Sequence, residues 1–226
     1  MSQTTTAYGC DTSDMRFPHG LLRQGLSAPE AVLGRVNGDA ERAAEVASYY
    51  ANLLDFLHAH HGAEDELLWP KLRRRAPEHG ELYERMEGQH AGIGDACDAA
   101  QAAVARYEVA PTPEHAQLLA DRVTALMEEL ETHLSQEERE ILPIAAVTMT
   151  QAEWGELPAH GARSFHGDKF WLILGLLFEQ MNQAERRMTL ENFPPPVREM
   201  WETEGQGAYI ACIARIRGTA GTPAAG

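Results

Sequence analysis

The chain has 226 residues, which suits one domain or one domain with a sizeable extension, and its 44% hydrophobic residues can build a core. A formal net charge of −15 argues against nucleic acid and anionic membrane surfaces as partners, because both demand basic patches. Three cysteines (Cys10, Cys97, Cys212) without CxxC spacing make no disulfide framework, and the start of the chain shows no basic-then-apolar leader.

In chain order, the polar residues 1–13 are expected to be flexible. Residues 14–146 are expected to form an all-α, antiparallel up-down four-helix bundle. A helical pattern from about Asp14 to Val36 places Phe17, Leu21, Leu22, Leu26, Val32 and Val36 on one face, with Pro29 bending or breaking it. Asn37-Gly38-Asp39 reads as a stop followed by an N-cap. A long helix then runs to Arg75, with Pro70 predicted to kink or fray its end.

Ala76-Pro77 makes the next turn, a third helix reaches about Tyr107, and a fourth spans roughly Glu114 to Pro143. Residues 147–217 read as a helical extension packed on the bundle. Thr150 to Glu153 and Asn182 to Glu185 resemble capping boxes, and Asp168 is placed to cap the helix containing FWLILGLLF. That apolar run is nine residues, well short of the roughly 20 a membrane span needs, so a soluble, cytoplasmic protein is expected. Residues 218–226 are expected to be a flexible tail.

One phrase occurs twice. HHGAEDELLWP at residues 60–70 and HLSQEEREILP at 133–143 each begin with histidine, carry Glu64 or Glu137 four residues later, add Asp65 or Glu138, and end in proline. A lone histidine, His19 or His90, precedes each block by 41 or 43 residues. Histidine and glutamate at i and i+4 share a helix face, the way bundles present ligands to metal. His19 lies 19 residues before Gly38 and His60 lies 22 after it. His90 lies 22 before Thr112 and His133 lies 21 after it. At about 1.5 Å rise per residue, antiparallel helices bring all six side chains to one level, within about 5 Å.

The pattern reads as two half-sites of a dinuclear metal centre. Glu64 and Glu137 can bridge two ions, with His19 and His60 on one ion and His90 and His133 on the other. Imidazole and carboxylate without thiolate suit iron or manganese. With a solvent bridge each ion has five ligands, leaving a position on each for O₂ or peroxide.

In FPHGLLR, LHAHHGAEDELLWP, MEGQHAGI and THLSQEEREILP, residues 17 to 146 resemble the hemerythrin-like (HHE cation-binding) family. Residues from LPAHGARSFHGDKF to FPPPVREMW resemble the C-terminal extension of a bacterial subgroup. The resemblance implies a non-haem pair of iron ions, oxo- or hydroxo-bridged, held by His19, His60, Glu64, His90, His133 and Glu137, with manganese as the alternative metal. Oxygen-carrying hemerythrins have a second histidine four residues after the helix-three ligand. Gly94 stands there in this chain, and Glu137 stands where the carriers use aspartate. The missing imidazole favours reaction with O₂, hydrogen peroxide or another small oxidant over oxygen carriage.

Among the other residues, His61 is about 100° round the helix from His60 and reads as lying behind the ligands or facing solvent. His58 reads as a surface residue, and His160 and His166 as capping or surface groups. Asp65, Glu66 and Glu138 are candidates to accept N–H bonds from metal-bound imidazoles. Trp69, Trp171, Trp201 and Tyr209 read as packing anchors.

The leading functional expectation is a di-iron protein that binds and reacts with O₂ or hydrogen peroxide, drawing electrons from an unidentified donor. A di-iron oxygenase or oxidase with an organic substrate under the extension is the alternative. A third reading is an iron- or O₂-responsive sensor module.

Overall fold

A computed structural model describes residues 8–218. Residues 1–7 and 219–226, where most of the two expected flexible ends fall, lie outside the described residues. The described residues are all α-helical in architecture, with no strand among them.

The first bundle helix is broken. α1 (Arg16–Gly25) is followed by α2 (Pro29–Gly34), and Ala28 between them takes a left-handed φ of 49° just before Pro29. Gly38, at φ 80°, turns the chain, and the Asp39 carboxylate accepts the Glu41 and Arg42 amides to start α3 (Ala40–Ala63).

The helix does not fray at Pro70. It widens into a π turn, Glu64–Leu68, and continues as α4 (Trp69–Arg75), with the Trp69 amide donating to the Glu64 carbonyl. Proline has no N–H and clashes with the carbonyl four residues back, so one additional residue in the preceding turn lets the helix pass. The second copy repeats the device. α5 (Gly80–Val109) leads to α6 (Pro113–Gln136), which passes through a π turn at Glu137–Ile141 into α7 (Leu142–Thr148), and the Leu142 amide donates to the Glu137 carbonyl. Both widened turns therefore begin at the repeated glutamate.

The extension comprises α8 (Gln151–Trp154), α9 (Glu156–Ser164), α10 (Phe170–Glu179), α11 (Gln183–Asn192), α12 (Pro195–Met200), a third π turn, and α13 (Gln206–Arg217). Both expected capping boxes form, Thr150 with Glu153 and Asn182 with Glu185. Asp168 does not cap α10. Its Oδ1 accepts from the buried Asn52 of α3, whose own Oδ1 accepts the Lys169 amide, so a bundle residue anchors the start of that helix.

α9 packs on α3, while α10 lies across α1 and α3. Leu172, Leu176, Phe178 and Ile213 join Leu53, Leu54 and Leu57 in one continuous apolar core. Contact is close: a Cβ on Gly175 would sit 2.2 Å from the Tyr209 ring. The described part of the N-terminal stretch is pinned as well, with the Gly9 amide donating to the Met149 carbonyl at 2.8 Å and the Cys10 amide to Ala146 at 3.0 Å.

Arg75, the last residue of α4, locks this end. Its guanidinium donates to both Glu153 oxygens, at 2.6 and 2.7 Å, and to the Thr148 carbonyl at 2.9 Å. The Arg75 contact holds the Glu153 carboxyl down at about 2. A depressed carboxylate stabilises the fold above its unfolded pKa, near 4, and loses that contribution as pH falls through the folded value. Arg75→Ala is expected to cost about 1–2 kcal/mol at pH 7, because a partly solvated charged pair gives the lower end of the usual range. Urea unfolding of both proteins should show the gap narrowing between pH 4 and pH 2.

Candidate metal centre

Among the described residues seven polar or charged side chains are buried, and all but Asn52 meet at one level of the bundle: His19, His61, Glu64, His90, His133 and Glu137. His60 joins them with its side chain 9% exposed. α1 supplies His19, α3 and its π turn supply His60, His61 and Glu64, α5 supplies His90, and α6 and its π turn supply His133 and Glu137. All six residues expected from the sequence are brought together.

The glutamates lie between the imidazoles. Glu64 is 3.4 Å from the Nε2 of His60 through Oε1 and 3.4 Å from that of His90 through Oε2. Glu137 Oε2 is 3.3 Å from His19 Nε2 and 3.7 Å from His133 Nε2. The Nε2 atoms of His90 and His133 are 3.1 Å apart. Two cis ligands at a metal–nitrogen distance of about 2.1 Å lie about 3 Å apart, so this spacing matches two imidazoles aimed at one ion.

Two groupings have all ligand atoms within 4.8 Å of one another: His19, His60 and Glu64, and then His61, Glu64, His90 and His133. Glu64 belongs to both; Glu137, 3.3 Å from His19 and 3.7 Å from His133, belongs to neither. The division of imidazoles follows the sequence expectation, with one correction. His61 does not face solvent; it is 7% exposed and stacks on His90 with ring centroids 4.1 Å apart. The 100° offset from His60 turns it to the α5–α6 side of the site, which a count along one helix does not disclose.

The lone histidines are held crosswise. His19 Nδ1 is 2.7 Å from Glu138 of the second block, itself fixed by Arg23 at 2.6 Å. His90 Nδ1 is 2.7 Å from Asp65 of the first block, which also accepts the Trp69 indole N–H at 2.9 Å. Each acid follows its glutamate in the widened turn and orients the lone imidazole paired with the other block. Glu66 does not take part; it lies 3.5 Å from His160. Gln89 does, with its Oε1 3.1 Å from His133 Nδ1. Its place beside His90 in sequence gave no sign of this.

Without metal the electrostatics are split. Burial would lower His19, but the Glu137 and Glu138 carboxylates raise it to about 9. Burial likewise opposes His90, which hydrogen bonds to Asp65 and Glu64 raise to about 10. Burial pushes His60 down to about 3 and His133 to about 4, and sends His61 well below the ordinary imidazole range.

Whether the residues fit a metal is tested by the orphaned atoms. Both oxygens of Glu64, both of Glu137, and the Nε2 atoms of His19, His60 and His61 are buried without a hydrogen-bond partner. Buried carboxylates left without hydrogen bonds are costly unless they bind metal. The atoms form a cluster of hard oxygen and imidazole donors, which fits non-haem metal.

Four helices converging these donors on one buried level define a helical-bundle protein with a non-haem metal site. The profile of the hemerythrin HHE cation-binding domain matches residues 10–145, and the chain belongs to that family. No curated protein and no solved structure matches the chain. Among the described residues, no helix is long and apolar enough to cross a membrane.

Proposed function

We propose that the protein holds two iron ions between Glu64 and Glu137 and reacts with O₂ or hydrogen peroxide. The observation that carries this reading is the four unpartnered carboxylate oxygens set among imidazoles from all four bundle helices. The bound pair would supply redox equivalents to the oxidant. The chain's own residues do the rest. Glu64 and Glu137 span the two positions, and Asp65, Glu138 and Gln89 hold the Nδ1 sides of three imidazoles so that Nε2 points inward. Trp69 packs against the His90 ring at 5.5 Å, and the burial of His19, Glu64, His133 and Glu137 keeps bulk water from the site.

The extension supports a protective shell more than a substrate roof, because α10 and α13 share one apolar core with the bundle. Two open surface hollows lie elsewhere, one around Pro77–Arg85 and one between the α1–α2 turn and α6.

Metal analysis and an absorption spectrum of aerobically purified protein test the reading. Two irons per chain and the near-ultraviolet band of a bridged ferric pair are expected. His60→Ala should lose at least one iron. Iron-free parent protein from iron-supplied cells would refute the proposal. Consumption of added peroxide then separates turnover from binding.

A further inference from the structure

Resting on the two-ion reading, we infer that His61 is a seventh metal ligand, taking the place of the imidazole that Gly94 cannot supply. Three independent observations carry this. His61 Nε2 is buried and unpartnered, like the Nε2 atoms of His19 and His60 and all four oxygens of the two glutamates. Its ligand atom lies within 4.8 Å of those of Glu64, His90 and His133. Its ring stacks almost parallel on His90, 7° between planes, and meets the His133 ring edge-on at 5.0 Å. A buried imidazole with a free nitrogen, beside two others already aimed at one point, completes a third corner around that point.

Gly94 leaves α5 without a ligand side chain one turn beyond His90, and a Cβ built there meets nothing within 4 Å. The imidazole missing from α5 is replaced by one reaching in from α3. The two positions then differ: His61, His90 and His133 serve one, and His19 and His60 serve the other. If both carboxylates and a solvent bridge are shared, the His19–His60 position would be the one with room for a small oxidant.

Cobalt(II) reports this without relying on turnover, because its visible absorption strengthens as coordination number falls. Parent, His61→Ala and His61→Gly proteins are stripped and dialysed against cobalt(II), then counted for metal and scanned. Two cobalt ions in the parent are expected. In His61→Ala, one ion should bind roughly tenfold or more weakly, on the scale seen when even an indirect partner of a ligand is removed, and the remaining visible band should intensify. Added imidazole should restore the parent spectrum in His61→Gly, an outcome that misfolding would not give. Parent-like affinity and spectrum in His61→Ala would overturn the inference and leave the two-ion reading intact. Fewer than two ions in the parent would overturn both.

Discussion

Glu64→Gln is expected to end two-ion occupancy while leaving the bundle folded. Glu64 is the residue common to both ligand groupings, with one oxygen 3.4 Å from His60 and the other 3.4 Å from His90. An amide has nearly the same shape but no charge, and only one of its two heads can accept a metal bond. Groups that merely orient a ligand are worth about 10–100-fold in metal affinity, so a bridging ligand should exceed roughly 100-fold. Dialysed protein should retain one iron or none.

The metal-free variant should be no less stable than the metal-free parent. Burial and the neighbouring Glu137 carboxylate hold Glu64 above the usual carboxylate range. A raised carboxylate pKa costs stability once pH exceeds the unfolded value near 4, so any gain from the amide is largest at neutral pH and fades in acid. Glu66→Gln, two residues on and facing His160, should keep both irons. Two irons retained in Glu64→Gln would rule out the bridging role.

Much of this cluster was legible because its candidate ligands obey one rule at two places. The i, i+4 spacing puts His60 with Glu64 and His133 with Glu137 on shared faces, and turn-to-turn counting brings His19 and His90 to the same height. What the spacing hid has two physical causes. Phase along an α-helix is about 100° per residue, and whether a neighbour such as His61 points at a site or away from it depends on where the other helices stand. The π turns add a residue that ordinary helical counting omits, and the acids within them, Asp65 and Glu138, reach across to histidines 25 and 119 residues away in sequence. The prolines were the available signal: Pro70 and Pro143 each fall six residues after a candidate ligand glutamate, and the helix widens into a π turn before each. In the extension, the capping boxes were readable because they are local. The Asn52 anchor of α10 was not, because it pairs residues 116 positions apart.

Removing the metal should lower the melting temperature by about 10 °C. The site exists only in the folded chain, so bound metal stabilises by mass action. A free-metal concentration about 1,000 times the dissociation constant contributes about 4 kcal/mol, and in a protein of this size each kcal/mol moves the midpoint by about 2–4 °C. Chelation leaves Glu64 and Glu137 buried with all four oxygens unpartnered. Glu64 stands between His60 of α3 and His90 of α5, and Glu137 between His133 of α6 and His19 of α1, so the loss should be felt across the bundle. Amide exchange should locate it, with the protection of α5, including Gly94, falling more than that of α13 in the extension. A chelated protein that melts with the parent would mean that the apolar core alone sets stability. It would also remove the physical basis for reading the protein as an iron-responsive switch, because metal loss would then expose nothing.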